Sequence, residues 1–235
     1  SLRDDVFHQL TGFPMQKIHI DIVSDIACPW CAIGYARLEQ ALKQLAPEYE
    51  FGVQWHAFEL NPDHRGEGEP ILPALARKYG RSEEEMRATQ NQMMSIAKDL
   101  GVNFEKLQER LTTNTFDAHR LVKWGGEQGL QTDMKRARFE AYFGRAEDVS
   151  DPSVLLSCVE NLGLDRSRAE QILKSDEYAD VVRADEATYQ QAGVSAVPAF
   201  IVNGKYLISG AQEPDTLVQA VEEIGGTPEG NPELE

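Results

Sequence analysis

Cysteine is scarce in this chain. Three occur in 235 residues, two of them together in Cys28-Pro29-Trp30-Cys31 and the third, Cys158, alone. So few agree with a reducing compartment. A structural zinc site wants four Cys or His ligands, typically from two short-spaced pairs. No second pair exists, and His8, His19, His56, His64 and His119 are scattered, so no metal is expected. No apolar run approaches the roughly 20 residues of a membrane span. Residues 1–14 lack the basic, apolar and small-residue order of a secretory signal, and a cytoplasmic protein is expected. Basic residues are outnumbered too: 23 Lys and Arg stand against 39 Asp and Glu, a formal net charge of −16. That field repels polyanions, which argues against nucleic acid or an anionic membrane as a partner.

The chemistry present gathers around the cysteine pair. Ile18 to Val23 reads as a strand, and Leu38, Ala41, Leu42 and Leu45 recur at helical spacing just after the motif. Cys28 therefore falls near a helix N-cap, with Pro29 in the first turn. Unpaired N–H groups and the partial positive charge of a helix start favour thiolate over thiol, and at such sites a cysteine pKa falls from about 8.5 to roughly 3.5–7.5. Cys28 is the candidate nucleophile. Cys31, one turn later, is placed to attack a mixed disulfide at Cys28 and release the partner. A purely structural disulfide between them would close almost no loop and constrain the unfolded chain little.

In chain order, residues 1–14 form an arm with no assigned function, since Met15 is a plausible natural start. Glu50 to Leu60 has a partly alternating strand pattern, so strand, helix and strand are expected to form a parallel β-α-β unit. His56 and Glu59 read as edge or hydrogen-bonded core groups rather than catalysts. From Pro62 to Gln191 the periodicity is helical: Ile71–Tyr79, a segment capped by Ser82 with Glu85 three positions on, then Thr115–Gln128, Thr132–Phe143, Asp151–Leu162, Asp165–Lys174 and Asp176–Gln191. Cys158 lies among Leu155, Leu156 and Val159, as a buried inert thiol would. Near the end, Asn203-Gly204 between two apolar runs signals a type I′ hairpin. A helix begins at Pro214 and stops at Gly225-Gly226, and residues 226–235 read as a disordered polar tail.

This order of elements resembles the thioredoxin fold with a large helical insertion, an α/β architecture of the DsbA-like branch. Within that branch the chain resembles the bacterial FrnE type. The residues that carry the likeness are Cys28-Pro29-Trp30-Cys31, Phe58-Glu59-Leu60-Asn61-Pro62, Asn114-Thr115-Phe116-Asp117-Ala118-His119-Arg120, Glu140-Ala141-Tyr142-Phe143 and Gly193 through Gly210-Ala211-Gln212. The resemblance implies a discontinuous thioredoxin-fold domain from residues 15–62 and 193–225, with residues 63–192 as the inserted helical domain. It also implies Cys28 as attacking thiol, Cys31 as resolving thiol and a cis bond between Val197 and Pro198 facing them. Pro29, Trp30 and Val197 would then touch substrate, with Asn114 and His119 at the groove. A tertiary amide makes the cis bond accessible, and the residue before it can offer backbone groups to an extended substrate. Trp30 stands where periplasmic DsbA has a histidine and cannot supply that residue's charge to a thiolate.

Three functions compete at this point. The first is a thiol–disulfide oxidoreductase acting on a protein or small-molecule disulfide or dithiol, needing no cofactor beyond its own redox disulfide and using glutathione as a co-substrate. The second is a glutathione-dependent isomerase or kappa-type transferase; these usually carry serine at the first motif position, where this chain has Cys28. The third is a binding or holdase module in which the cysteines are incidental. The sequence leaves the oligomeric state open.

Overall fold

The computed structural model describes residues 15–226; the expected arm and nearly all of the expected polar tail lie outside the described residues. The chain runs β1 (Gln16–Ser24), α1 (Pro29–Leu45) and β2 (Tyr49–Ala57), then α2 (Ile71–Tyr79), α3 (Glu83–Asp99), α4 (Phe116–Glu127), α5 (Gln131–Phe139), α6 (Pro152–Asn161), α7 (Arg166–Leu173) and α8 (Ala179–Gln191). It closes with β3 (Ala199–Val202), β4 (Tyr206–Ser209) and α9 (Pro214–Gly225). The four strands form one sheet in the order β2-β1-β3-β4, with β1 parallel to β2 and the other pairs antiparallel.

Strand alternation explains the core. Ile18, Ile20 and Ile22 of β1 point to one face, where Leu38 and Ala41 of α1 and Leu217 and Val221 of α9 meet them. Each such buried aliphatic side chain contributes roughly 1.5–3 kcal/mol. On the other face Val23 packs with Val194 and Ala199. The outer edge of β2 is covered by side chains from the helices between β2 and β3. Trp55 N–H donates to Gln131 Oε1 at 3.0 Å, and Ala57 N–H donates to Asp185 Oδ2 at 2.8 Å. These bonds satisfy backbone groups that an edge strand would otherwise leave open to pairing.

Local signals act as their chemistry dictates. Ser82 Oγ accepts from Glu85 N–H at 3.1 Å, and Asn203 and Gly204 both take positive φ, 51° and 67°, as a type I′ turn needs. Other expectations shift. The helix expected over Thr132–Phe143 is α-helical only to Phe139, and Glu140–Gly144 forms a π-turn. The last inserted helix starts at Ala179, not Asp176, because Tyr178 adopts a left-handed conformation with φ 65°. The expected strand over Glu50–Leu60 ends at Ala57, where Phe58 N–H makes the last bond of the parallel ladder, to the Ser24 carbonyl at 3.0 Å. His56 is a hydrogen-bonded core histidine, with a ring nitrogen 2.6 Å from each of Asp21 and Asp185. Among the described residues no helix is long and apolar enough to cross a membrane.

Candidate active site

The turn between β1 and α1 delivers the cysteines. Cys28 N–H donates to the Asp25 carbonyl at 3.2 Å, and Cys31 N–H closes back on the Cys28 carbonyl at 3.1 Å. Cys28 occupies the N-cap in extended geometry with no side-chain capping bond, and Pro29 fills the first helical position, where no N–H is needed. Both cysteines are free thiols. Cys28 is 6% exposed and opens onto a cavity, whereas Cys31 is 1% exposed and lies behind it. Across from them the Val197–Pro198 peptide bond is cis, and the Cys28 thiol donates to the Val197 carbonyl at 3.8 Å. The Pro198 carbonyl accepts Gly210 N–H at 2.9 Å, which ties this loop to the end of β4. Close approach of loop and helix depends on Gly34, where a Cβ would lie 3.0 Å from Pro198 Cγ and 3.4 Å from the side chains of Ala211 and Phe200.

Beneath the thiols lies a buried polar floor. Asp25 accepts from Leu60 N–H at 2.8 Å and from the Thr115 hydroxyl at 2.7 Å, and it faces His119 Nε2 at 3.1 Å. Burial pushes the Asp25 carboxyl up, but the hydrogen bonds and charge of these partners outweigh it and hold it below the usual carboxylate range. His119 Nε2 also meets the Phe58 carbonyl at 3.1 Å. Both of its partners only accept, so the geometry assigns the proton to Nε2. Burial and then Lys135 push the His119 pKa down, while its hydrogen bond and charge interaction with Asp25 oppose them. Lys135 itself is buried with Nζ 5.5 Å from the Trp55 ring centre. Burial lowers its pKa to about 8, while Asp25 and Cys31 pull it upward. The Cys31 thiol is pushed well above its ordinary range by burial and then by its hydrogen bond and charge interaction with Cys28; the Asp25 backbone and Lys135 oppose this.

The cavity measures about 960 Å³. Cys28, Pro29, Trp30 and Val197 line one side, and apolar side chains of α2 and α3, including Ile71, Leu75, Met86 and Met93, line the other. Pro198 supports its wall from behind, against α1. His119 and Asn114 are not on this wall. His119, expected at the groove, is 2% exposed and turned to Asp25, because a carboxylate and a carbonyl satisfy it inside. Asn114 lines a smaller cavity of about 290 Å³, and its Oδ1 accepts Phe116 N–H at 3.0 Å, a local turn bond at the start of α4. Sequence reasoning passed over Asp25, Arg110 and Lys135. The available signal was charge at apolar-period positions: Lys135 and Arg138 share the buried side of α5 with Met134 and Phe139. Among the described residues no group of three or more His, Cys, Asp or Glu side chains converges as metal ligands would.

A dithiol at a helix start, faced by a cis proline and mounted on this sheet order, defines a protein of the thioredoxin fold. Its helices between β2 and β3 narrow the class, and comparison with known proteins gives the family: the chain belongs to the DSBA-like thioredoxin domain family, matched over residues 19–222. It is similar to the crystal structure of a probable DsbA oxidoreductase from Streptomyces coelicolor, at 33% identity and a TM-score of 0.83, covering 88% of this chain and 89% of that one. It is 29% identical over 206 residues to the uncharacterized protein YwbO of Bacillus subtilis (strain 168), covering 87% of this chain and 96% of the relative. The cytosolic disulfide reductase DsbM of Pseudomonas aeruginosa, solved with GSH, shares the fold at 17% identity and a TM-score of 0.61, covering 87% of this chain and 98% of that one.

Proposed function

We propose that this protein is an FrnE-type thiol–disulfide oxidoreductase of the cytoplasm that cycles Cys28 and Cys31 between dithiol and disulfide. The observation that carries this reading is the Cys28 thiol at the start of α1, which borders the cavity and donates directly to the Val197 carbonyl beside it at 3.8 Å. The Cys28 thiolate attacks one sulfur of a substrate disulfide, forming a mixed disulfide and expelling one substrate thiolate. Cys31 then loses its proton and attacks the Cys28 sulfur. The second substrate thiolate leaves, and two electrons have passed from the protein dithiol to the substrate.

The buried floor orders these steps. While Cys28 is free, its hydrogen bond and charge interaction, together with burial, hold Cys31 protonated. Once Cys28 is bonded to substrate that charge is gone, and the resolving thiol ionises more readily when its attack is due. Asp25 is saturated with donors and held below the usual carboxylate range, so its role is to anchor Leu60, Thr115 and His119 around the turn rather than to accept the proton. Two small thiols complete the cycle by reducing the disulfide and leaving joined to each other. Glutathione, the ligand in the DsbM structure, is the proposed co-substrate.

The test is the redox equilibrium of the pair in glutathione buffers, read by alkylation and mass spectrometry. A reversible two-electron transition is expected, absent from Cys28→Ser and Cys31→Ser, with a mixed disulfide accumulating at Cys28 in the latter. Undiminished exchange by Cys28→Ser rejects the mechanism. Glutathione-dependent turnover of an electrophilic substrate that survives in Cys31→Ser would transfer the assignment to the isomerase or transferase class.

A further inference from the structure

The wall of the redox cavity holds a buried cation that forms no ion pair among the described residues. Arg110 is 2% exposed and borders the same cavity as Cys28. Its Nη1 donates to Gln90 Oε1 at 2.9 Å and to the Leu107 carbonyl at 2.6 Å, and its guanidinium carbon lies 5.7 and 5.5 Å from the rings of Tyr142 and Phe143. Its hydrogen-bond partners are neutral and no ion pair to Arg110 forms among the described residues, so the negative charge that reaches it within the protein is that of Tyr142 and Cys28 when these ionise. Arg110 Nε is buried without a hydrogen-bond partner among the described residues. Gln90, also buried on this wall, turns its amide donor only toward Met93 Sδ at 3.9 Å, a weak acceptor. The acidic Glu69 at the exposed rim is already engaged by Arg77.

A guanidinium stays protonated in proteins, and its planar fork suits a carboxylate. A buried charge is favourable only when paired, so a charge held ready on a cavity wall is completed by what enters the cavity. The volume, about 960 Å³, falls in the range of small-molecule sites. The geometry points to Arg110, backed by Gln90, as an anion-recognition point that selects small disulfides carrying a carboxylate near the sulfur. This deepens the oxidoreductase reading and rests on Cys28 as the reacting thiol.

The experiment uses the reduced full chain and two disulfides of similar size, 3,3′-dithiodipropionic acid and its diamide. The second-order rate constant for oxidation of the Cys28–Cys31 pair is measured for each by rapid alkylation and mass spectrometry. In free solution the carboxylates repel an attacking thiolate, so a preference for the diacid has to come from the protein. The wild type is expected to favour the diacid by roughly tenfold, the scale of one charge-assisted hydrogen bond. Arg110→Met should lose that preference while still reacting with the diamide, and Arg110→Lys should keep part of it. Equal rates with both disulfides in the wild type overturn the proposal. So does an Arg110→Met protein slowed equally toward both, which would make Arg110 a partner of the thiolate instead of the substrate. If neither disulfide reacts at Cys28, the oxidoreductase reading fails first and separately.

Discussion

Replacing Lys135 by methionine tests the buried floor most directly. Lys135 is 1% exposed, and Nζ sits 5.5 Å from the Trp55 ring and 5.8 Å from the Phe139 ring. Burial takes its pKa from 10.5 to about 8. At about 1.36 kcal/mol per pH unit, that drop corresponds to about 3 kcal/mol spent on keeping the ammonium charged inside. Lys135→Met keeps the unbranched stem, removes the charge and gives up two cation–π contacts of roughly 0.5–1 kcal/mol each. Asp25 loses a nearby cation but keeps its hydrogen-bond donors. The variant should therefore be more stable than the parent by about 1–3 kcal/mol at pH 7. Between pH 8 and 10.5 the unfolded lysine binds more protons than the folded one, so the parent gains stability as pH rises and the gap closes by the upper end. Urea unfolding of both proteins across this range, each carrying Cys28→Ser and Cys31→Ser so that no active-site thiol titrates, reads the effect. A variant less stable at pH 7, or a gap that stays constant from pH 8 to 10.5, refutes the reasoning.

Four further outcomes follow from the same geometry. Asp25→Ala strands the Leu60 N–H, the Thr115 hydroxyl and His119, and leaves Lys135 without its nearby carboxylate; urea unfolding should show a loss of roughly 3–5 kcal/mol. Because the folded Asp25 pKa is depressed, its contribution is complete above the ordinary carboxyl pKa and disappears as pH falls through the folded value, so Asp25→Asn should flatten the acid limb of a stability profile. Arg138 is 0% exposed and none of its three guanidinium nitrogens has a hydrogen-bond partner among the described residues, so Arg138→Leu should stabilise by about 1–4 kcal/mol and raise Tm. Gly34→Val places new carbons where Pro198 Cγ already stands 3.0 Å from a single Cβ; an overpacking cost of roughly 1–3 kcal/mol and slower disulfide exchange are expected, read by unfolding and by thiol-trapping kinetics.

What was legible in the chain is what neighbouring residues determine. Cys28 at a helix start follows from the apolar spacing behind it and from Pro29. The Ser82 cap and the Asn203-Gly204 turn follow from the chemistry of a few adjacent residues. The cis bond before Pro198 was read from the resemblance, since an isolated Val-Pro step gives no such signal. What escaped were the long-range pairings. His119 reaches Asp25 across 94 positions, so a motif that reads as a groove residue becomes part of the buried floor. Lys135 and Arg138 look like solvent-facing charges until α5 is seen packed inside the molecule. The π-turn at Glu140–Gly144 alters helical geometry without altering composition, and periodicity passes over it.

The 169 positions that separate Cys28 from Val197 have a consequence for synthesis. At about 5–20 residues per second, a ribosome makes the first roughly ten to thirty seconds before the second. Throughout that interval the nascent chain carries both thiols with no loop opposite them, and Arg110 emerges midway. The part of the site that exchanges electrons thus exists before the part that confines what reaches it, and a chain halted before β3 would be a dithiol without a gate.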